Sequence, residues 1–370
     1  MTAISVIMPC YNRAYDLRRI LDAYDRQNFT EPFEVIAVDD ASFDGSDELL
    51  AKYNPKIFSL RVIRMEQNKG QGAARNQAIP LAQAPLVLFV GDDIYPDKNF
   101  LEVHLSAHRR YKNENIAILG KLQWPADMLQ NTIMTHIDGV GAQQFSFHYL
   151  QNNHEYDFRH FYTSNISLKK KLLLSMDHWF DPDFVMYGYE DAELGYRLSR
   201  KGMQIIYQDA ALAYHYHYHN IFTFADRQYK SGLMACVLVK KHPQLNSIIY
   251  GRRFIRFRLL WMKTTSLGRA YSPEVVDWLE TITLRLISFF EWNKNHLLDT
   301  FYFRILDYFY HKGILDGMME DSKYQLRVRG LHAKLTLSPA VAWFLKNAFQ
   351  AKIPLPEGYD YPLLKRLSVL

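Results

Sequence analysis

The chain has 370 residues, 48% of them hydrophobic and 22% charged, which excludes a disordered polymer and leaves room for two domains at about 150 residues each. Its formal net charge of +5 is too small to mark a nucleic-acid binder. That average hides a contrast, because residues 1–220 carry 22 Lys/Arg against 27 Asp/Glu while residues 221–370 carry 22 against 12.

The only cysteines are Cys10 and Cys236, so a disulfide framework and a thiolate metal site are excluded. The first residues, MTAISVIMPCYN, enter a strand directly and lack the basic start and apolar middle of a secretion signal, which predicts a cytoplasmic setting. Apolar runs such as Ala84 to Val90 fall far short of the ~20 residues of a bilayer span, so any membrane contact is expected at the surface. An aromatic content of 15% suits stacking on bases and sugars or anchoring at a membrane interface.

In chain order, Ile4 to Met8 reads as a strand, and Tyr15 to Asp25 reads as a helix with Leu17, Ile20, Leu21 and Tyr24 at helical spacing. Glu34 to Val38 is a second strand ending at Asp39-Asp40, followed by a helix over Ser46 to Tyr53. Leu60 to Met65 is a third strand, Gly70 and Gly72 precede a helix through Ala82, and Leu86 to Val90 is a fourth strand ending at Gly91-Asp92-Asp93. This alternation predicts an α/β fold with a doubly wound, mostly parallel sheet, whose ligands bind beyond the carboxyl ends of the strands. Acidic pairs stand at two of those ends.

Further strands are expected at Ile116 to Leu119 and Ser164 to Leu168, and a helix over Asp191 to Lys201 closed by Gly202. From about residue 220 the pattern turns helical, with Ser272-Pro273-Glu274 as a helix start. The expected division is a first domain over 1–220 and a basic, aromatic-rich helical domain over 221–370.

Several residues have the chemistry of a transfer site. Asp92-Asp93 follows an apolar strand and precedes Pro96, an exposed carboxylate pair suited to a hard cation such as magnesium or manganese. Asp40 can accept hydrogen bonds from a base edge while Tyr11 offers a ring for stacking. The Arg75 guanidinium can pair with a diphosphate or with the Asp92-Asp93 loop. Glu190 and Asp191 fall at a helix N-terminus beside Gly188, where a carboxylate stays ionised as a base must. In AYHYHYH, His215, His217 and His219 alternate, and the spacing leaves open which of them serves a metal. Gly70 and Gly72 lack the spacing of a phosphate-binding Walker loop or a dinucleotide fingerprint.

Six segments in order, SVIMPCYNR, VIAVDDASFDGS, NKGQGAARNQA, LFVGDDIYPD, TSNISLKK and YGYEDAELGYRL, resemble the family-2 glycosyltransferases of the GT-A fold. The likeness is to bacterial polysaccharide-synthesising members, and it runs through most of residues 3–218. It implies an inverting, metal-dependent enzyme that uses a nucleotide-sugar donor, most readily a UDP-sugar, and a glycan or lipid-linked acceptor. Position by position it implies that Pro9, Tyr11, Asp40, Arg75 and Asp92 contact the donor nucleotide, Asp93 and His215 hold the divalent metal, Asp191 is the general base, and Glu190 orients the acceptor or the base. The chain departs from the family pattern in having Gly91 where the metal motif has its first acid. That departure makes an inactive nucleotide-sugar-binding module an alternative, and a sugar-phosphate nucleotidyltransferase is another.

The second part matches no family motif. Tyr250 to Lys263 places Arg252, Arg253, Arg256 and Lys263 on one face of an expected helix suited to anionic lipid, or to the acidic first domain. Peripheral membrane contact or a homo-oligomer is the expectation for this part.

Overall fold

The computed structural model describes residues 1–141, 143–145, 147–250, 273–292 and 297–318. The chain opens with β1 (Ile4–Cys10), α1 (Ala14–Tyr24), β2 (Phe33–Asp39), α2 (Ser46–Lys52), β3 (Ser59–Arg64), α3 (Gln71–Ala78) and β4 (Leu86–Val90). The four strands lie side by side in the order β3-β2-β1-β4, all parallel. Every residue of β1, β2 and β4 is buried, as expected of apolar strands covered on both faces, whereas β3 is a partly exposed edge.

Next come β5 (Ile94–Pro96), α4 (Phe100–Arg110), β6 (Ile116–Gln123), α5 (Thr132–Asp138), β7 (Glu155–Tyr156), β8 (Asn165–Lys169), α6 (Lys170–Leu174), α7 (Glu190–Arg200) and β9 (Gln204–His215). The sheet continues from β4 as β8-β6-β9-β5, with β7 on β9. Here the expectation of a mostly parallel sheet needs correction, because β8 is antiparallel to both β4 and β6, and β5 and β7 are antiparallel to β9. The cause is where the chain re-enters: β8 starts at the carboxyl edge, with Asn165 opposite Val90, and runs back to Lys169 opposite Leu86.

A β-bulge shapes the end of β9. Gly120 pairs with Gln208 but its neighbour Lys121 pairs with Leu212, so residues 209–211 are extra, and the strand regains its alternation to deliver His215 inward. Gly120 is required there, since a Cβ would lie 2.4 Å from the Ala211 carbonyl oxygen.

A capping box at Asn220 and Thr223 opens α8 (Ile221–Lys241), followed by α9 (Asn246–Ile249), α10 (Pro273–Phe290) and α11 (Leu297–Met318). α8 and α11 cross through glycines: a Cβ on Gly232 would stand 2.0 Å from the Tyr310 carbonyl oxygen, and one on Gly313 2.0 Å from that of Tyr229. Met1–Gly317 form one compact unit, so the change of character at residue 220 falls inside it. Among the described residues, no helix is long and apolar enough to cross a membrane. The basic helix expected from Tyr250 to Lys263 lies, beyond Tyr250, outside the described residues.

Candidate active site

The carboxyl ends of β1, β2 and β4 form the floor of the site. Backbone strain collects at its rim, where Asn12 (φ 52°), Ala41 (φ 61°) and Tyr189 (φ 67°) hold left-handed conformations that residues with a side chain rarely adopt. Asp39 and Asp40 end β2. Asp40 accepts from the backbone amides of Lys69 and Gly70, each at 2.8 Å, and so ties down the loop that starts α3. Pro9 lies within β1, buried and opposite Val38. Tyr11, 41% exposed, meets the 81%-exposed ring of Phe43 edge-on at 6.2 Å, leaving an open aromatic pair at the ends of β1 and β2. Phe43 was not singled out from sequence, although a large apolar residue between two acids of VDDASFDGS was a readable signal.

After β4 the two acids of Gly91-Asp92-Asp93 separate. Asp92 turns toward β1, accepting from the Tyr11 amide at 2.9 Å and standing 3.5 Å from Arg13 Nε. Asp93 faces the histidines: its Oδ2 lies 3.3 Å from His215 Nε2, 3.2 Å from His217 Nδ1 and 3.3 Å from Arg13 Nη2. Gly91 accommodates this arrangement, because a Cβ there would stand 2.7 Å from Asp93 Oδ1. Burial pushes Asp92 up to about 6, with Arg13 opposing and Asp93 adding to the rise. Burial acts on Asp93 as well, yet His215, His217 and Arg13 hold it well below the usual carboxylate range.

Asp93, His215 and His217 place one ligand atom each within 4.8 Å of one another. One carboxylate and two imidazoles suit a first-row transition ion such as manganese better than magnesium, which favours oxygen ligands. Burial lowers the His217 pKa and so favours the neutral, ligating form. Trp124 stacks on His215 at 5.1 Å and 14°, fixing its plane. His219 turns away toward Arg227, whose Nη1 is 3.4 Å from His219 Nε2. Thus two of the three alternating histidines meet Asp93. Arg13, also not singled out from sequence, bridges both acids and His217 Nδ1 (3.0 Å), placing a positive charge against the triad.

The second acidic pair opens α7. Glu190 accepts from the Gly188 amide at 3.2 Å, and Asp191 accepts from the Ala192 amide at 2.7 Å. Burial, reinforced by the neighbouring Glu190 charge, raises Asp191 to about 7, a value suited to a base near neutrality. Burial also raises Glu190, against the pull of Arg75. Arg75 is buried and, among the described residues, hydrogen-bonded to the Gln71 side chain (3.2 Å) and the Thr163 carbonyl (3.5 Å), with Nε and Nη1 lacking a hydrogen-bond partner there. Burial lowers its pKa, and Glu190, Asp191, Asp92 and Asp93 all act to raise it again, so this guanidinium sits in the field of both acidic pairs.

The helical layer closes the site from the other side. Tyr189, the residue before Glu190, shares a 2.7 Å hydroxyl contact with Tyr310 of α11. Gly188 packs on α8, where a Cβ would meet the Ser231 Cα at 3.0 Å. Arg227 of α8 lies 3.7 Å over the Tyr187 ring, and burial brings its pKa down to about 9 with Asp93 opposing.

A family model described as glycosyl transferase family 2 matches residues 5–173. An uncharacterised glycosyltransferase, YfnE of Bacillus subtilis, is 26% identical over 54% of this chain and 61% of its own length. The hyaluronan synthase of Pasteurella multocida is 27% identical over 65% of this chain and 27% of its own. The chain thus spans about three-fifths or less of these curated relatives. Among solved structures, the mannosyltransferase PcManGT of Pyrobaculum calidifontis, in complex with GDP-mannose and Mn2+, superimposes with a TM-score of 0.55 at 15% identity, covering 86% of this chain and 88% of that one. That likeness is one of fold.

Proposed function

We propose that this chain, whose residues 5–173 match the model of glycosyl transferase family 2, moves a sugar from a nucleotide-sugar donor to a hydroxyl of a glycan or lipid-linked acceptor, inverting the anomeric centre. The observation that carries this reading is the convergence of Asp93, His215 and His217 on one point, at the strand ends where such sheets bind ligands.

In this reading Tyr11 and Phe43 flank the donor base, and Arg75 faces its diphosphate. Asp93, His215 and His217 would hold a divalent cation, which when bound offsets charge on the departing diphosphate. Asp191 accepts the proton of the acceptor hydroxyl as its oxygen bonds to the anomeric carbon and the carbon–oxygen bond to the diphosphate breaks. Nucleoside diphosphate leaves with the electron pair of that bond. Arg227, next to His219, adds a second cation on the helical side for the developing charge. Glu190 keeps the Asp191 loop in place through the Gly188 amide.

A UDP-sugar is the first donor to test and GDP-mannose the second, the latter because the structural relative was solved with it. The experiment is a screen of nucleotide sugars for hydrolysis or transfer with manganese and with chelator. Manganese-dependent release of nucleoside diphosphate from one donor is expected. Donor binding without turnover under any metal would favour an inactive binding module instead.

A further inference from the structure

The described part of α10 is apolar on both sides. Its inner side buries Ile287 in a cluster with Tyr302 and Leu306 of α11. Its outer side exposes Leu279, Leu286 and Phe290 at helical spacing, with Phe289 and Trp292 beside them, and Leu286 and Phe289 are 56% and 54% exposed. Phe301, at the start of α11, is 59% exposed. Of the charges of α10 whose side chains are described, Glu280 is turned to Lys312 of α11, Arg285 is half-buried, and Asp277, two positions before Leu279, falls on the opposite side of the helix. A large contiguous apolar face on a folded protein marks a contact site.

We propose that this face of α10 and the start of α11 docks on an anionic lipid bilayer. The residue types are those of an interfacial helix, with Trp and Phe at the headgroup level and Leu beneath. The chain entering α10, residues 251–272, carries Arg252, Arg253, Arg256, Arg258, Lys263 and Arg269 and no acidic residue. Such a segment repels a second copy of itself, whereas anionic headgroups attract it. Trp292 stacks on Tyr218 at 6.5 Å and 16°, and Tyr218 lies between His217 and His219 in sequence. The docking face is therefore continuous with the segment that carries the metal-facing histidines, so a membrane-borne acceptor would be presented close to the site.

The test is co-sedimentation of the full chain with phosphatidylcholine vesicles, with and without phosphatidylglycerol, at low and high salt. Binding to the phosphatidylglycerol vesicles only, weakened at high salt, is expected. Phe289→Glu with Phe290→Glu should reduce the bound fraction at least tenfold, and the milder Leu286→Ser should reduce it while leaving the melting temperature and the release of nucleoside diphosphate from soluble donor unchanged. Undiminished binding by both variants overturns the proposal. So does absence of vesicle binding, and a concentration-dependent dimer that these variants dissolve would then assign the face to a second copy.

Discussion

At the carboxyl edge of the sheet, the working side chains are acids whose positions are set by backbone amides: Asp92 by Tyr11, Asp40 by Lys69 and Gly70, Glu190 by Gly188. In the helical layer, the contacts to the same site come from tyrosine hydroxyls, a guanidinium and close glycine crossings. In the proposed reading the sheet edge carries the chemistry, and the helices limit where the loops bearing it can go. The charge contrast between residues 1–220 and 221–370 is one of sequence, with acids in excess in the part that holds the proposed cation site and bases in excess in the rest. Variants can therefore be chosen that remove chemistry without moving loops, or move loops without removing chemistry.

Asp191→Asn is the largest expected effect on the sheet side. Loss of a general base lowers the transfer rate by about 10²–10⁴, with manganese-dependent donor binding kept. Turnover near that of the parent would remove Asp191 from the base role. With burial and Glu190 raising the Asp191 carboxyl to about 7, the rate in the parent should fall about tenfold for each unit of pH below that value, one unit being about 1.4 kcal/mol. Stability should move the other way. A carboxyl with its folded pKa raised from 3.8 to about 7 favours the fold when protonated, so its contribution is lost as pH rises across that window. A melting temperature that falls over this window in the parent, and falls less in Asp191→Asn, checks the assignment independently of activity.

His217→Ala comes next. A ligand lost from the triad should weaken manganese binding at least as much as the loss of a supporting residue, about 10–100-fold, whereas His219→Ala should leave it within a factor of two or so. Isothermal titration of manganese separates the two, and equal effects would mean that the triad is not the binding set.

The parallel β3-β2-β1-β4 layer was readable because its strands are short apolar runs between glycine- and aspartate-rich turns, and the acids at their ends stood out for the same reason. β9 was not readable: Gln208 and Asp209 interrupt its apolar pattern, and they fall at the bulge that re-aims His215. For the same reason alternation alone did not separate His217 from His219; beyond β9 the chain leaves the strand, and the outcome depends on Trp124, Arg227 and Phe224 packing around the rings. Arg13 was hidden because, beside its local pairing with Asp16, the partners that place it in the site, Asp92, Asp93 and His217, are 79 or more positions away. Tyr310 was equally hidden, since a pairing with Tyr189 across 121 positions leaves no local pattern.

Tyr310→Phe is the smallest effect and the sharpest test of the helical side. It removes one hydroxyl of a part-buried pair 2.7 Å apart and leaves that of Tyr189 without this partner, which should cost about 1 kcal/mol of stability. Tyr189 holds the left-handed turn that leads into Glu190 and Asp191, so kcat should fall several-fold while KM for the donor is unchanged. Converting both residues to Phe leaves no orphaned hydroxyl and should restore most of the stability, because replacing both partners by apolar groups is nearly neutral. If the pair only packs, kcat returns with stability. If it sets the turn, kcat stays low in the doubly substituted protein, because the hydroxyl contact that fixes Tyr189 is still missing.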